Sequence, residues 1–110
     1  MFTPHSPEGY STPLDKIRQK TLAWGEKSLL VEFRLEVGAL IPPHAHPHEQ
    51  TGYLVAGRLE LTIGGSVHVA SPGDGWSIAG GIEHQARALE ACVAVEVFSP
   101  LREDYLPADA

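Results

Sequence analysis

The 110-residue sequence predicts an all-β domain, a sandwich or barrel of short antiparallel strands. Three observations carry this expectation. Apolar and polar residues alternate along the longest ordered-looking stretches. Turn residues recur about every 8–12 positions. No segment keeps a helical period for more than about two turns.

Taken in order, residues 1–13 hold Pro4, Pro7, Gly9 and Pro13 among small polar residues and read as an extended arm. The arm is expected to span residues 1–20, and one domain residues 21–110. The best helical candidate, Pro13 to Lys20, falls at that boundary. Leu29, Val31, Phe33, Leu35 and Val37 then alternate with Leu30, Glu32, Arg34 and Glu36, the period of a half-buried strand. Leu59, Leu61 and Ile63 alternate with Arg58, Glu60 and Thr62. Gly64-Gly65 follows as a two-residue hairpin signal and leads into Val67, His68 and Val69. Pro72-Gly73-Asp74-Gly75 is a turn cluster, Ala91 to Phe98 a further strand, and Arg102 to Tyr105 has room for one last turn.

Composition narrows the function. Eight basic and 14 acidic residues give a formal charge of −6, which argues against nucleic acid and anionic membranes as partners. No apolar run approaches the ~20 residues that span a bilayer. The N-terminus lacks the basic start and apolar core of a secretory signal. Cys92 is the single cysteine and lies in an apolar run, so it reads as a small core residue of a reducing, cytoplasmic compartment.

The segment Gly38 to Gln50 carries the chemistry. His44, His46 and His48 fall at every second residue, between prolines. Alternate residues of an extended chain point the same way, so these imidazoles can converge on one metal ion. A further ligand must come from elsewhere, and His84 is the candidate.

Two spacings identify a family. Gly38, five residues, His44-x-His46, three residues, Gln50, six residues, Gly57 resembles the first cupin motif, with Gln50 where glutamate is usual. Gly73, five residues, Ala79-x-Gly81, two residues, His84 resembles the second, with Ala79 in place of proline. The resemblance implies a single-domain cupin, a jelly-roll-type β-barrel with a metal in its lumen. Its ligands would be His44, His46, Gln50 and His84. Alternation favours Gln50 over Glu49 as the third ligand, and the family spacing passes over His48. The ion would be one divalent transition metal: zinc, nickel, iron or manganese. Cupins are often homodimers, which makes a homodimer the expected assembly.

Glu96 interrupts the apolar strand that ends at Phe98, and a buried carboxylate needs a partner or a task. Arg102 follows just beyond, suited to gripping a carboxylate, unless Glu103 or Asp104 pairs with it. Trp24 and Trp76 read as core or interface aromatics, and His5 and His68 as structural.

The run His-x-His-Pro-His-Glu-Gln, with a tail of acid-x-Phe-Ser-Pro-x-Arg-Glu-Asp-aromatic, is similar to the pectin-degradation cupins of the KdgF type. That resemblance implies opening the ring of 4,5-unsaturated uronates to linear keto forms, with a small sugar acid as partner. The functional residues would be the metal ligands plus Glu96, Phe98 and Arg102. The strand acid in that group is usually aspartate, so Glu96 departs from it by one methylene. Two other readings stay open: a metal-dependent dioxygenase of a small organic acid, and a non-catalytic small-molecule-binding cupin.

Overall fold

The computed structural model describes residues 1–108 and 110. Ten strands follow in order: β1 (Ser11–Leu14), β2 (Ile17–Trp24), β3 (Leu29–Leu35), β4 (Leu40–His44), β5 (Glu49–Ala56), β6 (Leu59–Ile63), β7 (Ser66–Ala70), β8 (Gly75–Ile78), β9 (His84–Ala88) and β10 (Cys92–Ser99). Among the described residues a 3₁₀ turn, Glu103–Tyr105, lies near the C-terminus. The strands form a six-stranded sheet, β1-β2-β3-β10-β5-β8, and a four-stranded sheet, β4-β9-β6-β7, antiparallel throughout. This is the jelly-roll arrangement. No strand pairing joins the two sheets among the described residues, so the expected barrel is an open sandwich.

The alternation seen in the sequence sets which face is buried. Leu29, Val31, Phe33 and Leu35 of β3, Leu59 and Leu61 of β6, and Cys92, Ala94 and Phe98 of β10 turn inward. Leu54, Ala86 and Ala88 join them from β5 and β9. Each fully buried Leu, Val or Phe contributes about 1.5–3 kcal/mol relative to exposure. On β10 the valines face away from this core, and Val97 is openly exposed. Cys92 is a core residue whose Sγ meets the carbonyls of Arg58 and Glu90 at 3.1 Å, and burial pushes its thiol pKa up.

Gly64-Gly65 forms the two-residue turn between β6 and β7, with Ile63 opposite Ser66. Both glycines have positive φ, as such a turn requires. The helical candidate at Pro13–Lys20 is a correction. It is a β-hairpin, turned at Asp15-Lys16 with Lys16 at φ 64°. Ile17 is buried against the core and β2 pairs along β3, so sheet pairing overrides a weak local helical preference. The expected arm therefore enters the sheet from Ser11 onward. Among the described residues no helix is long and apolar enough to cross a membrane.

Candidate metal centre

Strand register builds the site. His44, the last residue of β4, stands opposite His84, the first residue of β9, with ring centroids 4.1 Å apart. His46 lies in the link to β5, its ring 5.0 Å from that of His84. A glycine pair holds this link. Gly81 donates its N–H to the His46 carbonyl at 2.8 Å. Gly80 packs so close that a Cβ there would sit 2.3 Å from the Pro47 carbonyl oxygen.

Each of the three rings is oriented through Nδ1. His44 Nδ1–H is directed at the Pro42 carbonyl (2.9 Å), His46 Nδ1–H at that of His48 (2.9 Å), and His84 Nδ1–H at that of Ile82 (2.8 Å). Donation from Nδ1 leaves Nε2 unprotonated, with its lone pair free. Burial, chiefly, holds the His46 and His84 pKa values below the usual imidazole value, which keeps both rings neutral at pH 7. The ligand atoms of the triad lie within 4.8 Å of one another.

The donor set fits a metal ion. His84 Nε2 is buried without a hydrogen-bond partner. Gln50, buried at the start of β5, places Oε1 2.8 Å from His46 Nε2. With Nδ1–H donating to His48, the neutral His46 ring offers Nε2 as an acceptor, and two such acceptors repel unless a proton or a metal ion lies between them. Ligand atoms each ~2.1 Å from one ion stand about 3 Å apart when they are neighbours in its shell. The triad can thus hold an ion, and Gln50 stands where a fourth donor would. His48 is not in the convergent group, which holds His44, His46 and His84, and Glu49 is exposed.

Gln50 also links the triad to Glu96. Its amide nitrogen donates to Glu96 Oε2, and Trp76 Nε1 donates to the same oxygen at 3.4 Å. Loss of water around the carboxylate dominates and raises the Glu96 pKa to about 7. Trp76, expected as a core or interface aromatic, packs against the core and also turns its Nε1 to Glu96. It reaches Glu96 because Gly52, its partner in the β5–β8 register, has no side chain. A Cβ at Gly52 would lie 2.2 Å from the indole. Gly52→Ala should therefore displace Trp76 and destabilise the fold by about 1–3 kcal/mol, measured by urea unfolding.

The raised Glu96 pKa has a stability consequence in metal-free protein. The folded state binds the proton more tightly than the unfolded chain does. Its stabilising contribution is complete below pH 4.5 and is lost as pH rises through about 7. Glu96→Gln lacks this loss. In the presence of a chelator the variant should gain up to about 3 kcal/mol relative to the parent between pH 5 and pH 8 in urea melts.

Phe98 is buried beneath His46, at a centroid distance of 5.8 Å. Arg102 lies at the mouth of the same pocket, its side chain only 16% exposed. Its guanidinium stacks 4.0 Å from the Tyr105 ring centroid and pairs with both Asp104 oxygens, at 2.8 and 3.3 Å. The pairing weighed in the sequence is therefore present, with Asp104 as partner. The structure brings His44, Gln50, His84, Glu96, Phe98 and Arg102 to one pocket, with His46 completing the triad. His5 and His68 lie exposed and outside it.

A two-sheet jelly roll with three imidazoles converging inside it defines a small cupin-type domain. Residues 31–98 match the model of the cupin domain, and the chain belongs to the cupin family. It is 32% identical over 94 residues to the pectin degradation protein KdgF of Dickeya dadantii, covering 84% of this chain and 86% of that one. The structure of KdgF from a Halomonas species superposes with a TM-score of 0.91 at 30% identity, covering 96% of this chain and all of that one. An RmlC-like cupin from Shewanella frigidimarina also reaches 0.91, at 24% identity over 96% and 95% of the two chains, and shares the fold.

Proposed function

We propose that the protein opens the ring of small 4,5-unsaturated uronates, with a divalent metal held by His44, His46, Gln50 and His84. The observation that carries this reading is Glu96. Its carboxyl group faces a pocket that also presents His44, His84 and Arg102, and Gln50 and Trp76 fix it in place. The likeness to two KdgF proteins supports the substrate class.

In this reading Glu96 takes the proton of the anomeric hydroxyl. The bond from the anomeric carbon to the ring oxygen breaks, and its electron pair goes to that oxygen. An aldehyde forms at one end and an enolate at the other. Return of the same proton from Glu96 to the neighbouring alkene carbon converts the enolate to a ketone. Nothing is added or lost, so the step is an isomerisation. A carboxyl group that titrates near neutral pH suits both the removal and the return of a proton. Arg102 faces the substrate carboxylate, and Phe98 closes the floor. A bound divalent ion supplies positive charge towards a substrate oxygen.

The test is loss of the ultraviolet absorbance of a 4,5-unsaturated uronate, followed with metal-loaded and chelated protein. Chelator-sensitive loss above background is expected. Metal-loaded protein that leaves the spontaneous rate unchanged would overturn the reading.

A further inference from the structure

The pocket beside Glu96 is too small for the substrate the proposed function requires. Its free volume is about 60 Å³, room for a few water molecules and not for a six-carbon sugar ring. A second cavity of about 260 Å³ opens directly outside it. The two share Phe33, Ile41, His44, Arg102 and Tyr105 in their walls. The outer cavity is completed by Pro13, Leu14, Ile17 and Gln19 of the β1–β2 hairpin and by Pro42 of β4.

We infer that the sugar ring binds in this outer cavity, against the β1–β2 hairpin, with Leu14 and Gln19 as its specificity-determining contacts. The inference rests on the proposed function and adds where the substrate lies. His44 belongs to both the triad and the outer wall, so a ring lying there has only its reacting end to pass inward, towards the pocket that holds His84 and Glu96. Arg102 also borders both cavities, which puts a cation within reach of the ring's carboxylate. Leu14 is 43% exposed and offers an apolar surface to the C–H face of a sugar. The Gln19 amide both donates and accepts, which suits neighbouring hydroxyls. The wall is firm, because Ile17 is buried in the core and β2 pairs along β3.

Two variants test this in steady-state assays of metal-loaded protein. Leu14→Trp fills the outer cavity and should raise KM at least about tenfold, with kcat and metal content little changed. Gln19→Leu should narrow the preference between uronates that differ at one hydroxyl. Val67→Trp, on an exposed position of β7 outside both cavities, should behave as the parent. Parental KM and preference in both hairpin variants would overturn the inference while leaving the proposed function intact. If the parent turns over no unsaturated uronate, the proposed function falls, and nuclear magnetic resonance decides the inference. Galacturonate added to metal-loaded protein should shift the Leu14 methyl signals. Unmoved signals would overturn it.

Discussion

Glu96→Gln lowers turnover of a 4,5-unsaturated uronate by about 10²–10⁴-fold, the usual worth of a positioned acid–base group. Metal content stays at the parental level, because Glu96 touches the triad only through Gln50. The amide is nearly the same shape as the carboxyl group, so packing against Gln50 and Trp76 survives and the loss reports proton transfer. Glu96→Asp is the sharper companion. It draws the carboxylate back by about 1.5 Å, a displacement that can cost ~100-fold. Here Gln50 and Trp76 hold the longer glutamate, and a shorter side chain forfeits both donors. Aspartate should therefore be slower than the parent. Full activity in Glu96→Gln would remove Glu96 from the acid–base role.

The fold was legible where burial is periodic. β3, β6 and β10 alternate because one face of each meets the core, and Gly64-Gly65 announces its hairpin through backbone geometry. The Pro13–Lys20 hairpin was not legible. Its strand character comes from pairing with β3, which residues nearby in sequence do not encode. The same division runs through the site. His44, His46 and Gln50 share parity along one segment, but so does His48, and only the family spacing set it aside. Two other features could not be read locally. The closeness of His44 to His84 depends on the β4–β9 register. The reach of Trp76 to Glu96 depends on a glycine 24 residues earlier, at Gly52, in a neighbouring strand. A tryptophan in a short strand gives no local sign that its Nε1 meets a carboxylate.

Removing His84 should abolish metal-linked stabilisation and activity together. His84 Nε2 is buried without a partner, and its neighbours His46 Nε2 and Gln50 Oε1 face each other as acceptors at 2.8 Å. With His46 neutral and no ion present this arrangement is unfavourable, so metal binding is coupled to the stability of the native state. A divalent ion at about 100 times its Kd contributes about 2.7 kcal/mol. For a domain of this size that raises Tm by roughly 10 °C. The parent should show this rise with added ion and lose it with chelator. His84→Ala should melt at one temperature under both conditions and leave uronate absorbance unchanged. In chelator the variant should fall little below the parent, because losing the unsatisfied Nε2 offsets the lost packing and the lost bond to the Ile82 carbonyl. A large loss in chelator would mean that His84 serves packing first. A metal response that persists in His84→Ala would mean that the ion is held elsewhere. Only a silent variant, with near-parental stability in chelator, fits a side chain kept in the core for the ion it holds.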